Sequence, residues 1–389
     1  MSRPDSTRAA SRQLMVVAAG TGGHVMPGLA VAELLRARGW RVSWLGTRTG
    51  IERSLVAPLA IDFDAVPFSG LRGKGLRGAA CGSVNLVRAF AASASVMRRR
   101  LPDVVFATGG YVAVPAGAAA ATRRVPFALL NADASPQLSM RLLRPITSKV
   151  LCGFDGAASR IAGRKAIVTG APVRERIASL APPEQRLAGR TGPLRLLVIG
   201  GSLGARVLNE TIPAALALMP ADRRPQVLHQ CGSAHVEAAR AAYAAAGVQA
   251  RVCGFIEDIA TCYEEADLVV CRAGAITVSE LCAAGVAAIL VPLVVSTTDH
   301  QRFNAEFLAS RGAALHEPQE RFEPEALARL LGSLTRPQIL AVAQRARSLG
   351  HPDATAAVAA AIESLADGSS SSIGWGSARG PAQPPRSRS

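Results

Sequence analysis

The chain has 389 residues, 49% of them hydrophobic and 4% aromatic, with a formal net charge of +16. Such a length allows two domains with sizeable cores, and no apolar run reaches the ~18 residues that a membrane span needs. The cationic excess points to an anionic partner, but scarce aromatics argue against nucleic acid held by base stacking, and no nucleic-acid-binding signature is present.

The opening, MSRPDSTRAASRQ, lacks the apolar core of a secretory signal, and residues 1–13 are expected to be disordered. The seven cysteines are scattered without a C-x-x-C pair. That pattern fits reduced thiols in the cytoplasm rather than a disulfide frame or a zinc site.

Leu14–Gly28, LMVVAAGTGGHVMPG, reads as a buried strand, a glycine turn and the start of a helix. The unpaired N–H groups of such a helix start are a seat for phosphate. His24 stands at the lip of the turn, facing whatever binds there. The turn is not a dinucleotide fingerprint: Val25 holds the place of its third glycine, and Arg41–Thr47 (RVSWLGT) ends without the acid that would hold a ribose. It is not a P-loop either, since G-K-[ST] is absent.

Further strands are expected at Val42–Gly46, Val104–Ala107, Phe127–Leu130, Lys149–Cys152 and Ala166–Thr169, alternating with helices. That is a doubly wound parallel sheet. A polar stretch, Ala181–Gly192 (APPEQRLAGRTG), reads as part of a linker over 176–193. Leu194–Arg206, LRLLVIGGSLGAR, then repeats the opening pattern halfway along the chain. Strands at Gln226–His229, Gln249–Cys253, Asp267–Cys271 and Ala288–Val291 follow. The expected fold class is α/β: two Rossmann-like domains, 14–175 and 194–367, facing across a cleft. Residues 368–389, ending in GPAQPPRSRS, read as a disordered basic tail.

In the second half, CRAGAITVSE (271–280) ends a strand, turns at Gly274 and starts a helix that can meet a diphosphate. Glu280 can accept two hydrogen bonds from a ribose diol, or it is a glutamate favoured by the helix dipole. In GFIED (254–258), Phe255 can pack on a flat base and the Ile256 backbone can read its edge. Ser202 can donate to a phosphate, Arg174 is a cation placed for the same group, and His300 and Gln301 can hold sugar hydroxyls. Each alone is an ordinary loop residue; their recurrence at successive strand ends favours a site.

Together these segments resemble the MurG family, bacterial transferases that move N-acetylglucosamine (GlcNAc) from UDP onto lipid I to make lipid II. The matching stretches are GTGGHVMPGLA (20–30), SGLRGKG (69–75), GGYV (109–112), GAPVR (170–174), GGSLGAR (200–206), GFIED, CRAGAITVSE and DHQRFNA (299–305). The resemblance implies a GT-B fold and UDP-GlcNAc held mainly by the second domain. Ile256 would meet uracil, Glu280 the ribose, and Ser202 and Arg174 the diphosphate. The helix start Ala275, Ile276, Thr277, Val278, Ser279 would lie along the diphosphate, with His300 and Gln301 near the GlcNAc. Thr21, Gly22 and Gly23 would close over the donor.

The family inverts the anomeric centre without a bound metal or cofactor, so a base must take the proton of the attacking 4-hydroxyl. His24 is the candidate, with Tyr111 on the acceptor side. The family usually carries H-E-Q-N after its fifth strand; here the run is Leu130-Asn131-Ala132-Asp133. Asp133 therefore stands for an Asn of the donor set, and a related acceptor or reduced activity is the alternative. A peripheral place on the cytoplasmic face of the inner membrane is also implied. The basic glycine loop 71–77 and the apolar residues Val84, Leu86, Val87, Phe90 and Val96 would dock on an anionic leaflet.

Overall fold

The computed structural model describes residues 11–20, 22–68, 75–136, 138–161, 165–201, 204–293 and 299–368. It contains two all-parallel sheets. The first holds β1 (Gln13–Val17), β2 (Arg41–Thr47), β3 (Asp62–Val66), β4 (Val104–Ala107), β5 (Phe127–Asn131), β6 (Lys149–Cys152) and β7 (Ala166–Val168). The second holds β8 (Arg195–Ile199), β9 (Gln226–Gln230), β10 (Arg251–Cys253), β11 (Leu268–Cys271), β12 (Ala288–Leu290) and β13 (Leu315–His316). Their orders are β3-β2-β1-β4-β5-β6-β7 and β10-β9-β8-β11-β12-β13. Both orders reverse direction next to the first strand of the sheet, β1 or β8, which is where ligands bind in open α/β sheets.

The central strands are Val- and Leu-rich because helices cover both their faces. Leu14, Met15, Val16 and Val17 have no solvent exposure, and their side chains alternate between two core layers. The helix Gly22–Ala37 lies close on this sheet because Gly28 has no side chain: a Cβ there would sit 2.8 Å from the Trp44 ring. Gly28 thus supplies the close helix–sheet approach that the missing third fingerprint glycine would have given.

Three expectations about the chain's course are corrected. The first sheet begins at Gln13, whose N–H donates to Asp103 at 2.7 Å, so the ordered chain starts before Leu14. The 176–193 stretch is packed, not a free spacer. Ile177 is fully buried in the second lobe, and the Arg186 guanidinium donates to the carbonyls of Tyr263, Ala284 and Gly285. The lobes are instead joined near Ala171–Arg174. Finally, the helix Ala354–Ala366 does not belong to the second lobe. Val358, Ala359 and Ile362 are fully buried against Leu14, Val16 and Leu35. The small, apolar face of this helix completes the first core, so the chain crosses back at Gly350–Asp353. The two crossings touch: Thr355 Oγ1 donates to Val173 O at 3.2 Å, and a Cβ on Gly170 (φ +75°) would overlap His351.

Candidate active site

The loops after β1, β4 and β5 form the wall of the first lobe. Gly20, at φ +108°, turns the chain out of β1. Its N–H donates to Glu52 Oε2 at 3.3 Å. Glu52 has no solvent exposure and also accepts from Thr47 N and Thr47 Oγ1 at 2.7 and 2.6 Å. This carboxylate therefore anchors the glycine loop to the end of β2. The sequence reading missed it; the only signal was the glycine pair around it, for a Cβ on Gly46 or Gly50 would run into the Glu52 side chain.

Gly22 and Gly23 open the Gly22–Ala37 helix, and His24 follows in its first turn. His24 Nδ1 lies 3.2 Å from Thr108 O, and Thr108 Oγ1 donates to His24 O at 2.6 Å. A carbonyl can only accept, so Nδ1 carries the proton and Nε2 keeps its lone pair. Burial pushes the imidazole below its ordinary 6.5, partly offset by the charge of Asp133 and the Thr108 carbonyl. His24 is thus neutral at pH 7, with Nε2 as the available base. Gly110 (φ +79°) lets the next loop pass close by: a Cβ there would sit 2.8 Å from Ala19 O and 3.5 Å from His24 Cδ2. Tyr111 comes next, its ring edge-on to Phe68 at 5.8 Å between centroids.

The facing wall is the Ala275–Ala284 helix. Gly274 caps it with extended backbone and no side-chain bond, which leaves first-turn N–H groups for a ligand. Ala275 and Ile276 pack against the first lobe's core, beside the helix that carries His24. The start of this helix therefore lies at the junction of the two lobes. Two of the residues expected along the diphosphate face elsewhere. Val278 is fully buried and its N–H donates to Gly274 O, while the Ser279 hydroxyl donates back to Ala275 O at 2.8 Å. Among the described residues, the first-turn donors of this helix with no backbone partner are those of Ala275, Ile276 and Thr277.

Glu280 Oε1 accepts from Arg174 Nη2 at 2.8 Å, and Oε2 accepts from the fully buried Tyr263 hydroxyl at 3.3 Å. Burial raises the Glu280 carboxyl despite these partners. Ile256 is half-buried beside the same cluster, and Phe255 is 61% exposed, as a base-stacking face would be.

His300 and Gln301 start the helix His300–Ala309. Gln301 Oε1 accepts from Leu293 N at 2.9 Å, while His300 Nδ1 is buried without a partner among the described residues. One turn on, Asn304 is fully buried between the lobes. Its Nδ2 donates to Asp133 Oδ1 at 2.8 Å and to Ala273 O at 3.0 Å, and its Oδ1 accepts from Ala134 N at 2.8 Å. Asp133, expected among the donor residues, is 5% exposed and is engaged in this interlobe clasp. Sequence reading quoted Asn304 within DHQRFNA without giving it a role. Thr21, Ser202 and loop residues 69–74 lie outside the described residues. No group of three or more metal-ligating side chains occurs among the described residues.

Residues 14–152 match the glycosyltransferase family 28 N-terminal domain, and residues 195–359 match the glycosyltransferase family 28 C-terminal domain. The chain belongs to glycosyltransferase family 28. Among relatives, the UDP-N-acetylglucosamine–N-acetylmuramyl-(pentapeptide) pyrophosphoryl-undecaprenol N-acetylglucosamine transferase of Chromobacterium violaceum is 54% identical over 92% of this chain and 99% of its own. The protein of the same name from Methylibium petroleiphilum is 53% identical over 91% and 98%. The crystal structure of Acinetobacter baumannii MurG superposes with a TM-score of 0.77 at 36% identity, covering 90% of this chain and 99% of that one. The expected GT-B fold, two Rossmann-like lobes across a cleft, is the fold of this family 28 member, a hexosyltransferase.

Proposed function

We propose that the protein transfers GlcNAc from UDP-GlcNAc to the 4-hydroxyl of the muramyl sugar of lipid I, forming lipid II. The observation that carries this reading is identity above one half, across nine-tenths of the chain, with transferases named for that reaction. The geometry supports it: a neutral histidine lies in the first turn of one helix, and the uncapped start of the helix that packs beside it comes from the other lobe.

In the proposed step, the acceptor oxygen attacks C1 of GlcNAc from the face opposite UDP. The new C–O bond forms as the bond to the diphosphate breaks, so the anomeric centre inverts. His24 Nε2 takes the hydroxyl proton, and UDP leaves with the electron pair. The N–H groups of Ala275, Ile276 and Thr277, with Arg174, face the charge that develops on the diphosphate. Glu280 holds the ribose, Ile256 the uracil, and His300 and Gln301 the sugar. Thr21, Gly22, Gly23 and Ser202 join the donor set by position in sequence, and Tyr111 lies on the acceptor side.

Peripheral attachment to the cytoplasmic face of the inner membrane is part of the proposal. No helix among the described residues is long and apolar enough to cross a membrane. On the Gly75–Arg100 helix, Val84 and Val87 are 52% and 67% exposed beside Arg88, whereas Leu86, Phe90 and Val96 turn inward to the core. Helical periodicity splits the expected patch into those two faces. Leu142 and Ile146 are exposed on the same side of the first lobe, next to Arg141 and Arg144.

The deciding experiment is transfer of labelled GlcNAc from UDP-GlcNAc to a short-chain lipid I analogue; no transfer, with the donor still bound, would sink the reaction. That outcome would favour the second reading, an altered acceptor. It is suggested by Asp133, which the interlobe clasp engages where the family usually has Asn.

A further inference from the structure

Arg174 and Glu280 are both assigned to the donor in the proposal above, yet here they hold each other. The contact is single: only Nη2 of Arg174 reaches Glu280. A guanidinium committed to one carboxylate ordinarily makes two parallel bonds. Instead, Arg174 Nε is buried and unpartnered among the described residues. The other side of Glu280 is fixed, since Tyr263 is 1% exposed and cannot leave the core.

Arg174 can leave. It sits where the chain crosses between lobes, its side chain is 37% exposed, and it lines an interlobe cavity of about 720 Å³. Burial disfavours the charged form of Glu280, and the single contact with Arg174 offsets only part of that cost. A pair with one bond, one idle donor and open space beside the arginine is built to exchange partners.

We propose that Arg174 is a latch on the ribose-binding carboxylate. In the empty site it occupies Glu280; when a nucleoside diphosphate arrives, the phosphates draw the guanidinium away and the ribose diol takes its place. This rests on the donor reading given above. Its consequence is specificity. A nucleoside without phosphates must break the ion pair unaided, and a phosphate without ribose leaves Glu280 buried with only Tyr263. Recognition of sugar and of charge becomes one event, and by linkage each strengthens the other.

The test is calorimetric titration of the full chain with uridine, inorganic phosphate and UDP as separate probes. Wild type should bind uridine about fivefold more tightly, or better, in saturating phosphate than in chloride of equal ionic strength. Arg174→Met should bind uridine more tightly than wild type, bind UDP more weakly, and lose the phosphate effect. Uridine binding that phosphate leaves unchanged or weakens in wild type overturns the latch, with no variant needed. A phosphate effect that persists in Arg174→Met overturns the assignment to Arg174. Absence of UDP binding to wild type removes the donor reading and the latch together, whereas UDP binding without the uridine effects removes the latch alone.

Discussion

The Thr108 carbonyl decides which nitrogen of His24 can act as a base. With Nδ1–H tied to it, Nε2 is left unprotonated, and burial keeps the ring neutral at pH 7. His24→Ala should lower kcat by about 10²–10⁴-fold with little change in the KM for the donor; steady-state kinetics in which turnover is unchanged would remove His24 from the reaction. The same lowering sets the pH profile. Because the folded value lies below 6.5, kcat/KM should be flat through neutrality and fall only on the acid side of about pH 6.5. A second histidine acts on stability rather than rate. His229 is fully buried, its Nδ1 2.9 Å from the Tyr243 hydroxyl, and burial pushes it to about 4. The unfolded chain takes up a proton near pH 6.5 and the folded chain only near 4, so stability falls as pH drops across that window. The loss should reach roughly 3 kcal/mol by pH 4. Urea melts of wild type and His229→Gln check this: the variant should lack that part of the acid loss. The position of His24, in the first turn after the glycine bend, was legible in the sequence because it is set by local geometry alone. Glu52, Tyr263 and the role of Asn304 were not, because each acquires its meaning from a partner distant in sequence.

Among the elements, the last helix carries the clearest energetic test. Ile362 is fully buried in the first lobe's core, so Ile362→Ala should cost about 2–5 kcal/mol. Chemical denaturation should show the loss in the first lobe; a variant whose first lobe unfolds at the wild-type midpoint would contradict that packing. The long basic helix offers another. Val84→Asp with Val87→Asp should weaken binding to vesicles containing anionic lipid and leave the melting temperature nearly unchanged, because both side chains point outward. Strands were readable where they are central: buried runs such as VVFA (104–107) and LVVC (268–271) have few other uses. β3 was missed because DFDAV carries two acids and resembles a loop. Those acids meet Arg99 and Arg100 at the far end of the long helix, a pairing that no local pattern reveals. β13, two residues at a sheet edge, is too short to show any period.

Across the whole molecule, the two lobes meet through Asn304, whose polar atoms reach Asp133, Ala134 and Ala273. Asn304→Ala leaves buried groups unpaired at about 1–3 kcal/mol and should shift the lobes toward an open state. Small-angle scattering should then report a larger radius of gyration than wild type; an unchanged radius would show that closure does not depend on this side chain. That there are two lobes was evident from the recurrence of strand, glycine turn and helix. Where the chain passes between them was not, because a helix of small apolar residues such as Ala354–Ala366 fits either core by composition. Its return to the first lobe bears on synthesis. While the protein emerges from the ribosome, the β1 sheet and the Gly22–Ala37 helix on its face are made early, but that core layer lacks its last helix until residue 366 has cleared the exit tunnel. The later lobe, complete by residue 349, can therefore mature before the earlier one, which reverses the usual amino-to-carboxyl order of domain folding.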